Sequence, residues 1–360
     1  MSEVGLDITL ARGEFSLSVN TVLPAGAVTG IYGASGSGKT SLLSSIAGLL
    51  RGDPGNSVRI GSERLEGEGQ WLPPEAREVA YVFQDARLFP HLDVAGNLHF
   101  ALRRRRRDGP GLAKVSEWLG IGELLTRRSD ELSRGQQQRV AIARALLSGP
   151  RLVLMDEPLA NIDVTGRRDI LARLARVRRE LSVPMIYVSH DMAELAELAD
   201  YLLVLEDGKL AAEGPLLELS SKLELALSHQ EHAAAVVRAE VVGHDPDYGL
   251  SQLLFEGQAL WVSQLDLPTG SPLRLRLPAR DISLCRERPE QTSILNLLQA
   301  QVAGIEASQG SRVLVQLTVG QQRLLARITR KSLDALELTV GDEIVAQVKS
   351  VALLSDSRDE

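Results

Sequence analysis

The sequence lacks the features of a disulfide-stabilised or membrane-spanning protein. Cys285 is the only cysteine among 360 residues, which excludes an internal disulfide framework and suits a reducing compartment. No run of about 18 apolar residues is present, and the N-terminus has no basic region followed by an apolar stretch. We therefore expect neither a membrane span nor a secretory signal, so that any membrane association goes through a partner or the protein surface.

The chain also lacks an excess of positive charge. It has 40 Lys and Arg residues against 47 Asp and Glu residues, a net charge of −7, which argues against a general nucleic-acid binder. The run Arg103–Arg107 is a local exception. Such a run usually forms a solvated face, and contact with anionic lipid headgroups is the alternative interpretation.

The length of 360 residues, 44% of them hydrophobic, predicts two or three domains with substantial cores. Residues 1–230 alternate apolar runs with helical patterns, which predicts a largely parallel sheet covered by helices. Short alternating strands follow, and we expect a linker and first β segment over residues 231–288, then a small β-domain over residues 289–357, as two related halves. Predicted strands include Ala27–Tyr32, Glu78–Phe83, Arg151–Met155 and Met185–Ser189, and helical patterns cover Ser41–Leu50, Arg134–Ser148 and Arg167–Leu181.

Residues 33–40 form a phosphate-binding pattern. They fit the P-loop sequence G-x-x-x-x-G-K-[ST] completely, with an apolar strand before them and a helical pattern after. Glycines let backbone N–H groups turn inward around an anion, and the helix directs its positive end at the phosphates. The lysine of such a loop reaches the phosphates of ATP and the threonine ligates Mg²⁺. The loop consists of Gly33, Ala34, Ser35, Gly36, Ser37, Gly38, Lys39 and Thr40.

A pair of acids completes the predicted phosphate site. The apolar segment Leu152–Met155 ends in two carboxylates, Asp156 and Glu157. Burying charge at the end of a core strand is costly unless something compensates it, and Mg²⁺ supplies that compensation. We predict that Asp156 holds the ion through water and that Glu157 polarises the attacking water as general base.

Four further segments resemble those of the ABC ATPase family. Residues 132–139 read Leu-Ser-Arg-Gly-Gln-Gln-Gln-Arg, similar to the family signature, which is usually Leu-Ser-Gly-Gly-Gln. Pro158–Asp163 looks like the D-loop, His190 follows a predicted strand as the switch histidine does, and Gln84 resembles the Q-loop glutamine. The resemblance implies an α/β P-loop NTPase domain of the ABC type.

The same resemblance implies a head-to-tail homodimer with two ATP molecules at its interface. Each ATP lies between the P-loop of one subunit and the signature segment of the other, where the start of a helix faces the γ-phosphate. The residues implied for hydrolysis are Glu157, His190, Gln84 and Lys39, and those for Mg²⁺ are Thr40, Gln84 and Asp156. The residues implied for the partner's ATP are Ser133, Gly135 and Gln136, with Asp163 in the D-loop.

Two positions depart from the family's pattern. Arg134 replaces the first signature glycine, and if that position requires a positive φ, arginine is strained there. Many family members stack adenine on an aromatic residue shortly after the first strand, but Leu10–Glu14 contains none. We expect Phe15 to face the core.

The segment after the Q-loop resembles one that docks a permease. In importer ATPases a segment similar to Gln84–Leu92 lines the groove that receives a helix of the membrane permease. Its apolar residues Leu88, Phe89 and Leu92 fit this role or, alternatively, a place in the core. The stretch looks most like that of the ATP-binding subunits of molybdate importers.

Three C-terminal segments, residues 292–302, 328–332 and 336–349, resemble parts of the small, OB-like Mop/TOBE β-module. In its anion-binding versions, serine and basic side chains hold the oxyanion between two subunits. Leu295 stands where some binders carry arginine, whose absence weakens oxyanion binding. The module therefore either senses an oxyanion or packs as a dimerisation module. The matching oxyanion residues are Ser293, Lys349 and Ser350.

The expected function is ATP-driven import of molybdate or tungstate by a permease complex, with the chain peripheral on the cytoplasmic face of the inner membrane. An external solute-binding protein is an indirect partner, and nucleic acid is not a partner. Rival interpretations are an importer of sulfate, iron(III) or polyamine, a soluble ABC ATPase, and an anion sensor with an inactive ATPase. The single cassette opposes the soluble ATPase, and the intact Lys39, Asp156, Glu157 and His190 oppose the inactive one.

Overall fold

The computed structural model describes residues 2–13, 15–223, 233–307, 311–349 and 351–353. The chain forms two compact units, Met1–Gly214 and Pro215–Glu360. The first unit therefore ends upstream of the domain boundary that the sequence predicts at residue 230. Within the described residues, no helix is both long and apolar enough to cross a membrane.

The first unit is built around one mixed sheet. Its strands are β1 (Val4–Arg12), β2 (Phe15–Leu23), β3 (Val28–Tyr32), β4 (Ser57–Ile60), β5 (Glu63–Gly67), β6 (Gln70–Trp71), β7 (Val79–Val82), β8 (Leu152–Asp156), β9 (Met185–Val188), β10 (Tyr201–Glu206) and β11 (Lys209–Pro215). They lie in the order β6-β5-β4-β1-β2-β11-β10-β3-β9-β8-β7.

Only part of this sheet is parallel. Strands β10, β3, β9, β8 and β7 run parallel, as the sequence predicts, whereas β1 pairs antiparallel with β2 and β4, and β5 with β4 and β6. The prediction of a largely parallel sheet is wrong for this second part. The short turns that join β1 to β2 and β4 to β5 allow antiparallel pairing, because a parallel pair needs a long crossover.

Helices pack on the parallel strands of the first unit. Strands β3 and β8 are buried along their whole length, as expected where both faces of a sheet are covered. The first helix ends at Ile46 rather than at the predicted Leu50, because Gly48 has a φ of 75°, outside the helical region. The helices are α1 (Lys39–Ile46), α2 (Val94–Arg104), α3 (Leu112–Leu119), α4 (Arg134–Leu147), α5 (Val164–Glu180) and α6 (Met192–Leu198).

The second unit contains two five-stranded sheets. Its elements are α7 (Leu216–Leu219), β12 (Ala234–Asp245), β13 (Leu250–Phe255), β14 (Gln258–Ser263), β15 (Pro272–Pro278), β16 (Ile282–Cys285), β17 (Asn296–Ala307), β18 (Arg312–Val319), β19 (Gln322–Thr329), α8 (Arg330–Ala335), β20 (Glu343–Val348) and β21 (Ala352–Leu353). The sheets have the orders β14-β13-β12-β15-β21 and β16-β20-β17-β18-β19. The described part of residues 231–288, which we predict as a linker and first β segment, contains strands β12 to β16.

The two sheets of the second unit repeat one topology. The first strand of each has a shift in register, next to Val241 in β12 and next to Val302 in β17. At these shifts Gly270 N–H donates to the Val241 carbonyl at 2.7 Å, and Gly341 N–H donates to the Val302 carbonyl at 2.8 Å. The sheets also exchange edge strands, because β16 pairs with β20 and β21 pairs with β15. They share one apolar core, and their repeated strand order agrees with the two related halves that the sequence suggests.

Candidate nucleotide site

The P-loop connects the carboxyl end of β3 to the start of α1, as the sequence predicts. Gly36 and Gly38 have φ angles of 84° and 100°, which residues with a Cβ rarely adopt. A Cβ on Gly33 would lie 2.5 Å from the carbonyl oxygen of Leu205. The three glycines therefore give the loop the compact path that an anion-binding turn needs.

Lys39 is the first residue of α1 and is only 5% exposed. Its Nζ donates to the carbonyl oxygens of Gly33 and Ala34, each at 2.8 Å. The same ammonium lies 3.7 Å from Oε1 of Glu157. The loop thus holds this cation beside a carboxylate, in the place from which a P-loop lysine neutralises phosphate oxygens.

Asp156 ends β8, is 8% exposed, and has a different partner at each carboxylate oxygen. The Thr40 hydroxyl donates to Oδ1 at 3.1 Å, and the Tyr81 hydroxyl donates to Oδ2 at 2.9 Å. Burial and the neighbouring charge of Asp156 raise the pKa of Tyr81 well above its usual range, so the phenol keeps its proton and donates. The sequence predicts that Thr40 and Asp156 meet, but it does not predict Tyr81.

Glu157 follows Asp156 and has a φ of 44°, an uncommon conformation for a residue with a side chain. Its carboxylate lies between two other predicted site residues. Oε1 faces Lys39, and Oε2 lies 3.1 Å from Nδ1 of His190. The His190 side chain is 63% exposed, so a ligand can reach it from solvent. The structure therefore brings the predicted base, lysine and switch histidine together.

A cavity of about 500 Å³ lies between the P-loop and the two acids Asp156 and Glu157, and Gln84 lines it as well. Phe15 also lines this cavity, and a Cβ on Gly38 would lie 2.9 Å from the Phe15 ring. The ring packs partly against the core as well, as expected, but the sequence does not predict its place beside the P-loop. The other lining residues are Ser35, Gly36, Gly38, Lys39, Thr40 and Ser41.

The signature segment begins α4 with a capping box. Ser133 Oγ accepts the Gln136 N–H at 3.3 Å, and Gln136 Oε1 accepts the Ser133 N–H at 3.0 Å. Arg134 is the first helical residue and does not have a positive φ, so the strain that we considered for arginine is absent. A Cβ on Gly135 would lie 3.7 Å from Ile162, its nearest neighbour, which is ordinary contact.

The signature and D-loop residues lie apart from the P-loop cavity. In the part of the chain that the structure describes, the lining of that cavity does not include Ser133, Gly135 or Gln136. Asp163 caps α5 by accepting the Gly166 N–H at 2.9 Å. This separation fits a dimer in which the signature faces the partner's ATP, and that arrangement stays a prediction.

A second cavity, of about 650 Å³, follows the Q-loop. Leu88 lines it, whereas Phe89 is fixed to the helix behind, because its N–H donates to Oδ1 of Asn97 at 2.8 Å. Gln138 of α4 donates to the carbonyl oxygen of Phe83 at 3.1 Å, so the signature helix is bonded to the residue before Gln84. Further lining residues are Asp85, Ala86, Arg87, Pro90, Arg134, Gln137, Pro158, Asn161 and Ile162.

A buried carboxylate behind the switch histidine is not evident from the sequence. Glu194 of α6 is 4% exposed, and its Oε2 accepts from the hydroxyls of Tyr187 at 2.9 Å and Ser189 at 2.8 Å. Arg167 of α5 lies 3.5 Å from its Oε1. Burial raises the pKa of Glu194, although hydrogen bonds from the two hydroxyls lower it. The network fixes the backbone next to His190.

The predicted oxyanion residues stand at one end of a strand pair in the second unit. Asn296 of β17 pairs with Val348 of β20, and the exposed Ser293 and Lys349 lie just beyond that pair. Ser350 lies outside the described residues. Among the residues that the structure describes, no group of three or more His, Cys, Asp and Glu side chains is placed to hold a metal ion. The role of Ser293, Lys349 and Ser350 in binding an oxyanion stays a prediction.

Comparison with known proteins decides the family. A model of the ABC transporter family matches residues 17–160, and a model of the TOBE domain matches residues 292–354. The molybdenum import ATP-binding protein of Methylococcus capsulatus is 46% identical over 344 residues, which cover 94% of this chain and 96% of that protein. This chain belongs to the ABC transporter ATP-binding family.

Two further comparisons agree with this family. The molybdenum import ATP-binding protein of Salmonella typhi is 43% identical over 350 residues, which cover 97% of this chain and 99% of that protein. A crystal structure of the ADP conformation of an ATP-binding cassette of an ABC transporter aligns with a TM-score of 0.51 and 25% identity. It covers 60% of this chain and 91% of that cassette.

Family membership confirms several of the predictions. The fold class is confirmed as an ABC-type P-loop ATPase domain followed by a TOBE β-domain. As a family member the chain is an ATP-binding and ATP-hydrolysing subunit of a transporter that includes a membrane permease. The rival interpretation as a soluble ABC ATPase outside transport is thereby disfavoured.

Proposed function

We propose that this chain powers the import of molybdate, with tungstate as a second solute, as a homodimer on the cytoplasmic face of the inner membrane. The observation that supports this proposal most directly is that relatives named as molybdenum import ATP-binding proteins match 94% and 97% of the chain. The likeness thus extends through both compact units rather than the ATPase unit alone.

The geometry supports a role for each charged group in hydrolysis. The P-loop glycines and the start of α1 present N–H groups to the phosphates, and Lys39 neutralises their charge. Glu157 accepts a proton from the attacking water, and its contact with His190 keeps that histidine next to the γ-phosphate. Gln84 lines the same cavity, so it contacts the bound nucleotide and couples nucleotide binding to the rest of the segment Gln84–Leu92.

The donor set at Asp156 fits Mg²⁺. A buried carboxylate there receives hydrogen bonds from two neutral hydroxyls, so a cation beside it would offset the cost of burying the charge. Mg²⁺ is commonly bound by one or two carboxylates plus substrate phosphates, which explains why no larger acidic cluster is needed. Thr40, Asp156 and Gln84 would hold the ion, which when bound neutralises charge on the β- and γ-phosphates.

The dimer and the permease complete the proposed cycle. Ser133, Gly135 and Gln136 of one subunit contact the ATP of the other, and Asp163 lies at the interface. The cavity beside Leu88 receives a helix of the permease, and the hydrogen bond between Gln138 and Phe83 links that cavity to the signature helix. Solute reaches the permease from an external binding protein, and Ser293, Lys349 and Ser350 are candidates for sensing the oxyanion.

The ATPase part of the proposal is tested with a Glu157→Gln variant of the purified protein. Loss of a general base lowers a rate by about 10²–10⁴-fold, so we expect hydrolysis to fall by that factor while ATP binding is kept. Glu180→Gln is the matched control, because Glu180 pairs with Lys114 on an exposed part of α5. Hydrolysis at the wild-type rate in Glu157→Gln would refute the assignment of the base.

A further inference from the structure

Tyr81 occupies a place in the nucleotide site that the register of the sheet determines. In the parallel pair of β7 and β8, Tyr81 lies opposite Leu154. Asp156 comes two residues after Leu154, so its side chain leaves the same face of the sheet. The Tyr81 hydroxyl therefore meets the Asp156 carboxylate, and it donates to Oδ2 at 2.9 Å.

The first helix reaches the same carboxylate from the other side. Thr40 of α1 donates to Oδ1 of Asp156 at 3.1 Å, while Tyr81 of β7 donates to Oδ2. The two hydroxyls therefore hold one carboxylate at both oxygens and join α1 and β7 to the end of β8.

We propose that Tyr81 is a positioning residue that fixes the plane of the Asp156 carboxylate for binding the metal–nucleotide complex. A carboxylate held at one oxygen can still rotate about its terminal torsion, which has a broad energy minimum. The bond to Oδ2, together with the Thr40 bond to Oδ1, removes that freedom and fixes the orientation in which Asp156 would hold the ion. Loss of a hydrogen-bond partner of a metal-binding side chain commonly lowers the affinity for the metal by about 10–100-fold.

The aromatic ring of Tyr81 has a separate structural role that a test has to preserve. It stacks on Phe83 with the ring centroids 4.2 Å apart. A Tyr81→Phe substitution keeps this stacking and removes the hydroxyl alone. Because Tyr81 lies on β7, three residues before Gln84, the hydroxyl also ties the strand that leads into the Q-loop to the Asp156 carboxylate.

The inference rests on the proposed ATP and Mg²⁺ site, and it is tested by binding rather than by turnover. In full-length protein carrying Glu157→Gln, which blocks hydrolysis, a fluorescent ATP analogue is titrated in EDTA and then with increasing Mg²⁺. Adding Tyr81→Phe is expected to raise the half-saturating Mg²⁺ concentration about tenfold or more. Affinity for the analogue in EDTA is expected to stay the same.

The matched control is Tyr201→Phe in the same background. Tyr201 lies on β10 of the same sheet, its half-buried ring packs against the same core, and in the part of the chain that the structure describes it is not among the residues that line the P-loop cavity. This variant is expected to keep the parent's Mg²⁺ dependence. If Tyr81→Phe does not fold, Tyr81→Leu takes its place, because it also removes the hydroxyl, and it is expected to shift the Mg²⁺ dependence in the same direction.

Two results would overturn the positioning role. One is an unchanged Mg²⁺ dependence in Tyr81→Phe, and the other is an equal loss of affinity with and without Mg²⁺, which indicates general damage to the site. Failure of the proposed function itself looks different, because the parent protein would then bind the analogue without any response to Mg²⁺.

Discussion

The positive φ of Glu157 lets two successive acidic side chains line the same cavity. Successive residues of a strand point to opposite faces, so Asp156 and Glu157 would diverge if β8 continued. Instead Glu157 adopts a φ of 44°, and both carboxylates line the P-loop cavity. Such a conformation costs about 1–3 kcal/mol, which the surrounding contacts of Glu157 with Lys39 and His190 help to offset.

Phe15 yields a prediction about the base of the nucleotide. Stacking of a base on an aromatic ring contributes about 1–3 kcal/mol, and about 1.4 kcal/mol corresponds to a factor of ten in affinity. We expect Phe15→Ala to weaken ATP binding about tenfold in equilibrium titrations, because the ring lines the cavity beside the P-loop. Phe15→Tyr keeps the ring and is expected to bind ATP normally.

Inorganic tripolyphosphate separates base stacking from support of the loop. It carries the phosphates of ATP without the base, so Phe15→Ala is expected to bind it as the wild type does. Equal losses for ATP and tripolyphosphate would show that the ring supports the P-loop and does not contact the base.

At the residue scale, the sequence predicts sites whose residues follow one another along the chain, and it misses contacts between residues that are far apart in the chain. The P-loop and the acid pair are readable because each requirement falls within a few neighbouring residues. The hydrogen bond between Tyr81 and Asp156 joins residues 75 positions apart and depends on the register of β7 against β8. That register is a property of the folded sheet, so tyrosine at position 81 carries no local signal of its role.

At the scale of elements, the segment from β9 to α6 holds the switch histidine on a buried network. Burial raises the pKa of Glu194 above the 4.5 of a free side chain. Between 4.5 and the raised folded value, the native chain binds more protons than the unfolded chain. The free energy of unfolding therefore falls as the pH rises through this window.

A Glu194→Gln variant tests this dependence. Glutamine cannot ionise and still offers an oxygen to the hydroxyls of Tyr187 and Ser189, so the variant lacks the fall in stability. We expect it to gain stability relative to the wild type as the pH rises from about 4 to 8, measured from urea unfolding midpoints. Parallel curves for the two proteins would contradict the raised pKa.

Element boundaries were predictable where packing follows from hydrophobicity alone. Strands β3 and β8 are mostly apolar, are buried throughout, and lie in the parallel part of the sheet, as predicted. The end of α1 depends on the backbone of Gly48 rather than on apolar spacing, and the prediction overran it. The antiparallel strands β1, β2 and β4 alternate exposed and buried residues over much of their length, a weaker pattern than continuous burial.

At the scale of the whole chain, the second unit is closed by strands from distant positions. Strand β16 pairs with β20, and the short β21 pairs with β15, so each half completes the sheet of the other. The sequence predicts a first β segment within residues 231–288 but not this exchange, because no local pattern shows where an edge strand will pair. The TOBE match begins at residue 292, although the compact unit begins at Pro215.

The central claim is that this chain powers molybdate uptake, and cellular molybdenum tests it most directly. A deletion strain of the source organism, grown on scarce molybdate, is complemented with the wild type or with Glu157→Gln and measured by elemental analysis. We predict low molybdenum in the deletion strain and rescue by the wild type alone. Unchanged molybdenum in a deletion strain without a second importer would contradict the account and leave sulfate and iron(III) as the solutes to test.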